Sequence, residues 1–206
     1  MDKNLGRLYV IDSECQKLIH TSAILQWDQE TYMPSQAVEE RSEQLALLQG
    51  LIHDRLTSAE VGQGLDALRV PADERDVEGA SALRGLEQPQ RAFLRELRRS
   101  HRRNTQLPRE LVTEMARQTA IGQQRWARAR EASRFSLFSA QLEVIVGLVR
   151  EIASCLGYKE HPYDPLLDEY EPWTTTAEVE QVFAGLAEGL TELLQRILAD
   201  GKPVDS

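Results

Sequence analysis

The chain is poor in the residues that build covalently held or membrane-embedded proteins. Its 206 residues include only two cysteines, Cys15 and Cys155, too few for a disulfide framework. No apolar run approaches the ~20 residues that cross a bilayer, and the first residues begin a polar amphipathic pattern rather than a secretory signal. Hydrophobic residues make up 41% and charged residues 28% of the chain, as in ordinary globular proteins. These features exclude a disulfide miniprotein, a membrane protein and a disordered tail, and they predict a cytoplasmic globular chain.

The motifs of common catalytic and cofactor sites are also absent. No histidine lies four residues from another, so no helix presents two imidazoles on one face. The sequence contains no HExxH, CxxC, GxSxG, GxGxxG or phosphate-binding glycine loop. The acidic run at residues 164–171 could in principle hold a hard cation, but its spacing does not match a calcium loop. We therefore assign no catalytic residue, no metal ligand and no bound cofactor to this chain.

Apolar residues instead recur at helical spacing along almost the whole chain. From Leu8 to Leu25 they follow alternating steps of three and four residues, which predicts a helix ending near Pro34. No segment alternates with a period of two, so we expect no sheet. The pattern predicts an all-α fold, an elongated multi-helix bundle.

We predict one all-helical domain over residues 1–206. Residues 1–70 form its first helices, 71–157 its arginine-rich and core helices, 158–174 a loop and 175–200 the last helix. A helical stretch should open near Pro71, and the apolar helix at residues 142–156 should be central and buried because it is apolar nearly all round.

Four sites carry the residues that typically begin or end helices. We expect Ser35 to cap the second helix, and we expect capping boxes at residues 57–60 and 175–178, where a hydroxyl precedes a glutamate by three residues. Gly157 should end a helix in the left-handed conformation.

Charge is unevenly distributed along the chain. The net charge is −9, yet residues 89–134 hold twelve arginines and only four acids. Helical spacing places four of these arginines along one side of a helix: Arg91, Arg95, Arg98 and Arg102. Such a face could track phosphates, but it lacks interleaved aromatics and a nucleic-acid-binding motif. We expect it to be solvated or to dock on the protein's own acidic helices.

Two stretches resemble a known family. Residues 23–34, AILQWDQETYMP, resemble the WDxxTxMP signature near the start of the carboxypeptidase Taq family of zinc metallocarboxypeptidases. Residues 163–172, YDPLLDEYEP, resemble that family's YDxLLDxYEPG stretch. Residues 40–48 and 126–130 are similar to it as well, and the resemblance is collinear from about residue 5 to about residue 200.

The sequence also departs from the family pattern. Trp173 stands where the family usually has glycine, and residues 133–138 lack the usual Asn-Asp before Phe. The family's HExxH zinc helix, its third glutamate ligand and its substrate-binding motifs have no matching position in this sequence. They are expected in the part of a family member that follows residue 206.

The resemblance implies the N-terminal lobe of a zincin-like helical metallopeptidase, which contributes part of a deep substrate groove. In the family, zinc polarises the scissile carbonyl and the glutamate of HExxH acts as general base. Zinc is therefore expected in the full-length family member, while this chain alone is expected to bind none and to be inactive. The expected partners are the missing C-terminal catalytic region and, in the full-length enzyme, a peptide substrate. A homodimer is a further option, whereas nucleic acid and membrane are not expected.

Five residues of the two family-like stretches are candidates for lining the groove, with a structural role as the alternative. We expect Trp27 to pack where the first helix meets Pro34 and Asp28 to bond nearby backbone amides or form an ion pair. For Tyr163, Asp164 and Asp168 of the second stretch, we expect anchoring of the loop as the main role and contact with the cleft as the second. The candidates are Trp27, Asp28, Tyr163, Asp164 and Asp168. The competing hypothesis is a freestanding helical binding module whose arginine-rich face meets RNA or an acidic protein.

Overall fold

The computed structural model describes residues 2–200, and this part of the chain consists of helices, turns and loops without a strand. The all-α prediction is therefore confirmed. The α-helices are α1 (Lys3–Thr31), α2 (Val38–Leu56), α3 (Ala59–Ala67), α4 (Gln88–Thr105), α5 (Arg109–Glu131), α6 (Ser139–Leu156), α7 (Asp164–Leu167) and α8 (Thr176–Asp200). No helix in the described residues is long and apolar enough to cross a membrane.

The described residues form two compact units, one ending at Leu156 and the other beginning at Gly157. The first unit contains α1 to α6, and the second contains α7 and α8. The single domain predicted over residues 1–206 stays a prediction. Gly157 has a φ of +74°, which confirms the left-handed end predicted for α6.

In the first unit, α2 packs against both α1 and α5, and α5 packs in turn against α6. Glycines lie where helices approach closely. A Cβ added to Gly64 of α3 would come within 2.9 Å of Leu8, and one added to Gly122 of α5 within 2.7 Å of Ile145. Because a larger side chain would push the helices apart, these glycines set the distance between them.

One face of α1 supplies much of the hydrophobic core, as its seam predicts. This face meets α3, α4 and the segment between them, and each buried leucine or isoleucine contributes ~1.5–3 kcal/mol relative to exposure. Cys15 is buried among these residues, as expected of a small core side chain. The buried core residues are Leu5, Leu8, Ile11, Cys15, Ile52, Leu56, Val61, Leu65, Val70, Val77, Leu83, Leu94 and Leu97.

The prediction of a helix that begins near Pro71 is wrong. Two short 3₁₀ turns, Glu74–Asp76 and Ser81–Leu83, replace it, and the Asp73 carboxylate accepts a hydrogen bond from the Arg75 amide at the first of them. Turns of this kind keep the three-residue spacing of side chains. The apolar residues therefore still reach the core without an α-helix.

Two of the three predicted caps are also wrong. Ser35 opens a 3₁₀ turn, Ser35–Ala37, and α2 begins only at Val38. At residues 57–60 the two hydroxyls donate to carbonyls of the preceding helix, and Glu60 binds Arg7 and Arg55 instead of an amide. The third cap is confirmed, because the Thr175 amide donates to Glu178 at 2.8 Å and the Glu178 amide donates to the Thr175 hydroxyl at 3.3 Å.

The apolar helix α6 is not buried, contrary to prediction. Only Gln141 and Ala153 are buried in it, and Val144 is 46% exposed. Packing against α5 covers one side, so an apolar sequence on all sides does not by itself place a helix in the centre. The segment predicted as a loop, residues 158–174, contains the single turn α7.

Candidate functional site

The first family-like stretch lies at the end of α1, where Asp28 pairs with Arg41 of α2. Arg41 Nη2 donates to Asp28 Oδ2 at 2.6 Å, and Arg41 Nη1 donates to the carbonyl of Leu25. The Arg41 side chain is only 11% exposed. One guanidinium therefore fastens the last turns of α1 to α2. Of the two roles expected for the Asp28 side chain, it takes the ion pair rather than bonds to backbone amides.

Trp27 lies beside this ion pair and faces outward. Its ring meets Tyr32 edge-to-face, with the ring centroids 5.5 Å apart. Trp27 is nevertheless 58% exposed, and Tyr32 is more exposed still. The ring therefore contacts Tyr32 and is not buried where α1 meets Pro34. The two aromatic rings form an exposed apolar surface.

Two glutamine side chains fix this corner to α5. Gln29 Nε2 donates to the carbonyl of Ala120 at 2.8 Å, and Gln124 Nε2 donates to the carbonyl of Ser35 at 2.5 Å. The segment that carries the exposed rings of Trp27 and Tyr32 is therefore held against α5 by two hydrogen bonds. Sequence reasoning did not single out either glutamine, because an amide that bonds a distant carbonyl leaves no periodic signal.

The second family-like stretch is organised around Asp164. Its Oδ1 accepts hydrogen bonds from the Thr176 amide at 2.9 Å and the Thr176 hydroxyl at 2.6 Å, and its Oδ2 accepts one from the His161 amide at 3.3 Å. The bonds from Thr176, followed by the bond from the His161 amide, hold the pKa of Asp164 below its ordinary value. This carboxylate therefore joins α7 to the first turn of α8.

Asp168 anchors the turn that follows α7. Its Oδ1 accepts a hydrogen bond from the Trp173 amide at 2.9 Å. Trp173 has a φ of +68°, in the left-handed region that favours glycine. The family resemblance places a glycine at this position, so the departure in sequence coincides with a strained backbone. Tyr163, at the start of α7, keeps 53% of its surface exposed.

These contacts divide the five candidate residues into two kinds. The carboxylates of Asp28, Asp164 and Asp168 accept bonds within their own neighbourhoods, which suits positioning better than proton transfer. A general base needs a pKa near the working pH, whereas that of Asp164 is lowered. The rings of Trp27 and Tyr163 are exposed and able to contact a ligand.

The side chains of the described residues do not fit a zinc ion. Among residues 2–200, no three His, Cys, Asp or Glu side chains come together as a metal-binding group. His53 Nε2 lies 2.9 Å from the carbonyl of Leu107 and 3.1 Å from that of Asn104, and His101 Nδ1 lies 2.8 Å from that of Leu56. These nitrogens bond backbone oxygens, whereas His53 Nδ1 is buried without a hydrogen-bond partner.

The arginine-rich side of α4 contacts acidic side chains of the same chain. Arg91 and Arg95 each reach Glu78 at 3.2 Å, and Arg98 reaches Asp66 at 3.1 Å. Arg102 makes two hydrogen bonds to Glu74, at 3.0 and 2.8 Å. All four arginines of the stripe thus bind the protein's own acids, as expected, but of these acids only Asp66 lies in an α-helix.

Glu74 is the residue of this face that sequence reasoning missed. Its side chain is only 3% exposed, although the flanking segment reads as polar and amphipathic. Glu74 and Arg102 are 28 residues apart in the sequence, and a separation of this length follows no helical periodicity that would predict their contact. Only the path of the two 3₁₀ turns brings the two side chains together.

Comparison with known proteins gives a consistent result over the whole chain. The family model described as Carboxypeptidase Taq (M32) metallopeptidase matches residues 7–205. Thermostable carboxypeptidase 1 of Pyrococcus furiosus is 34% identical over 183 residues, which are 89% of this chain and 34% of that protein. Thermostable carboxypeptidase 1 of Thermus thermophilus is 32% identical over 203 residues, which are 94% of this chain and 38% of that protein.

Solved structures agree with the sequence matches. The structure described as BsuCP has a TM-score of 0.86 at 26% identity, and the match covers 97% of this chain and 38% of that one. The Pyrococcus furiosus carboxypeptidase has a TM-score of 0.74 at 31% identity, and covers 98% and 38% respectively. The chain thus spans little more than a third of the length of the relatives it matches. It belongs to the carboxypeptidase Taq (M32) metallopeptidase family.

Proposed function

We propose that this chain is the N-terminal, non-catalytic portion of a zinc metallocarboxypeptidase that removes C-terminal residues from peptides. The observation that carries the proposal is the extent of the match: it covers 89–94% of this chain but only 34–38% of the relatives' length. The described residues also bring together no metal-binding group. The remaining polypeptide of such an enzyme is the partner that would supply the catalytic residues.

The contribution of this chain to the enzyme would be part of the peptide groove. In the first unit, the outward-facing ring of Trp27 is the side chain best suited to contact a peptide, while Asp28 positions it through Arg41. In the second unit, Tyr163 has the same exposed character, while Asp164 and Asp168 hold its turn in place. The cytoplasmic location expected from the sequence stays a prediction.

An assay of C-terminal residue release tests the proposal. The purified chain is incubated with a short peptide in the presence of zinc, and the Thermus thermophilus carboxypeptidase serves as positive control in the same buffer. We expect no release above the buffer blank, because the described residues bring together no metal-binding group to activate water by the family's mechanism. Release that scales with chain concentration and survives repurification would overturn the non-catalytic assignment.

The alternative of a freestanding helical binding module, whose arginine-rich face meets RNA or an acidic protein, has less support. Its arginine stripe is already engaged by Glu78, Asp66 and Glu74. Arginines already paired with carboxylates neutralise few phosphates, so few counterions would leave the nucleic acid and the salt-dependent gain in affinity would be small. Filter binding to single-stranded RNA at low salt distinguishes the two hypotheses, and the carboxypeptidase proposal predicts no retention.

A further inference from the structure

The end of α5 and the turn that follows it hold a cluster of exposed arginines. Residues 122–138 contain four arginines and a single acid, Glu131, so this segment has a local net charge of +3. Among the residues that the structure describes, none of these arginines forms an ion pair. Positive charge is therefore left unbalanced at this end of the helix. The four arginines are Arg125, Arg128, Arg130 and Arg134.

The arginines at the other end of α5 bind carboxylates of the same chain. Arg109 pairs with Asp54 at 2.9 Å, and Arg117 pairs with both Glu43 and Glu114. The arginine-rich side of α4 is engaged in the same way. A carboxylate matches the fork of N–H donors on a guanidinium. It is therefore the acceptor that the arginines at the end of α5 lack.

Arg130 is held in place by the ring of Trp126. Its guanidinium carbon lies 5.5 Å from the ring centroid, within the distance of a cation–π contact. A guanidinium that lies over a ring keeps the N–H donors at the edge of its plane available for a ligand. Because the group is already positioned, it loses less conformational freedom when it binds a carboxylate.

The turn after α5 brings further side chains to the same place. Ser133 has a φ of +50°, and the Arg134 amide donates to the carbonyl of Ala129 at 2.8 Å, so the chain folds back on the end of the helix. Phe135 follows, 66% exposed, with its ring edge-to-face against Phe138. We call this region the α5-end surface. It consists of Trp126, Arg128, Arg130, Arg134 and Phe135.

The helix dipole accounts for only part of this arrangement. The negative end of a helix favours cations in the last turn, which suits Arg128 and Arg130. Arg134 lies beyond the helix, however, and the dipole requires neither a ring against Arg130 nor an exposed ring beside the arginines. A ligand that carries both carboxylates and apolar groups would use all of these features.

We propose that the α5-end surface binds acidic segments of polypeptides. Side-chain carboxylates of the ligand would accept hydrogen bonds from Arg128, Arg130 and Arg134, while its apolar side chains contact Phe135. The proposal rests on the proposed function, in which polypeptides are the substrates, and it makes acidic peptides the class that this chain recruits. Nucleic acid fits less well, because Arg130 covers the Trp126 ring and the surface does not offer successive open rings for bases.

Fluorescence anisotropy of a labelled peptide tests the proposal on the purified chain, without zinc. The probe alternates glutamate with alanine around one phenylalanine, and the matched peptide has glutamine in place of each glutamate. We expect saturable binding of the glutamate peptide at low ionic strength and at least about tenfold weaker binding of the glutamine peptide. Binding should largely disappear at about 1 M salt, where the Debye length is about 3 Å.

Variants of the chain test the surface itself. Arg130→Gln should weaken binding of the glutamate peptide about tenfold, because it removes the guanidinium held by the ring. Arg130→Lys keeps the charge but not the planar fork and should give an intermediate affinity. Arg75→Gln is the matched control, because Arg75 is also exposed but already pairs with Asp73, and it should change the affinity less than about twofold. Circular dichroism and urea unfolding verify that each variant is folded.

Three results would overturn the proposal and leave the proposed function intact, since release of C-terminal residues tests that function separately. They are equal affinity for the two peptides, no binding of the glutamate peptide at low ionic strength, and unchanged affinity after Arg130→Gln. Tighter binding of single-stranded RNA than of the glutamate peptide would also overturn the proposal, because it would assign the α5-end surface to nucleic acid.

Discussion

Asp28 at the end of α1 and Arg41 on α2 form an ion pair at 2.6 Å, and the Arg41 side chain is only 11% exposed. The aspartate of the first family-like motif thus has a definite structural partner in the second helix. The same arginine also binds the carbonyl of Leu25. Through Arg41, Asp28 therefore holds the end of α1 against α2, while the neighbouring indole of Trp27 stays exposed.

The first prediction concerns this ion pair. Asp28→Ala should lower the free energy of unfolding by about 2 kcal/mol, because a largely buried guanidinium loses its charged acceptor. Asp54→Ala is the matched control, since Asp54 pairs with Arg109 with both side chains well exposed and should cost less than about 1 kcal/mol. Urea denaturation of the two variants checks the difference. Equal losses would show that Asp28 has no special structural role.

The second prediction concerns the buried end of the arginine face. Arg102→Met should cost about 3 kcal/mol, because Glu74, with a side chain only 3% exposed, loses two hydrogen bonds from a cation. Arg95→Met removes bonds only to the exposed Glu78 and Glu96 and should cost less than about 1 kcal/mol. Thermal and urea unfolding measure both. A cost for Arg95→Met as large as that for Arg102→Met would contradict the account.

The third prediction concerns the strained backbone at Trp173. Trp173→Gly should stabilise the turn by up to about 1 kcal/mol relative to Trp173→Ala, because glycine adopts a positive φ without a Cβ clash while alanine retains it. Both variants lack the indole, so their difference isolates the backbone. Hydrogen exchange at the Trp173 amide, which donates to Asp168, reports on this turn. Faster exchange in the glycine variant would contradict the prediction.

The fourth prediction concerns pH and Asp164. Its pKa in the folded chain lies below that of an unfolded aspartate, mainly because of the bonds from Thr176. The stabilisation is therefore fully present above the unfolded pKa of about 4 and is lost as pH falls through the lower folded pKa. Protection of the Thr176 amide from exchange should fall over this range in the parent chain.

The matched control for this pH dependence is Asp164→Asn. The asparagine keeps an acceptor for the Thr176 amide but does not titrate. Protection of that amide should therefore be weaker than in the parent chain near neutral pH and should change little on acidification. An identical acid response in the two proteins would show that another group is responsible.

The local sequence pattern predicted the all-α class, because helix formation depends on residues that are close in the sequence. The seam from Leu8 to Leu25, the cap at Thr175 and the left-handed Gly157 all follow from neighbours within one or two turns. The prediction failed where tertiary contacts decide. The segment after Pro71 follows the path that places Glu74 against Arg102, and α6 exposes apolar residues because α5 covers only one side of it.

The candidate site shows the same division. The motifs around Trp27 and Asp164 were recognisable in the sequence. The last helix was also predicted to begin near residue 175, shortly after the second motif. The partners of the aspartates were not predictable, because Arg41 lies 13 residues from Asp28 and Thr176 lies 12 residues from Asp164. Whether Trp27 and Tyr163 line a groove stays a prediction.

The zinc content of the purified chain tests the central claim most directly. The chain is equilibrated with micromolar zinc, dialysed and analysed by elemental mass spectrometry, with the Thermus thermophilus carboxypeptidase treated in parallel. A non-catalytic N-terminal portion predicts only trace metal, far below one ion per chain. Stoichiometric zinc that withstands dialysis would contradict the account and would place a metal centre within this chain.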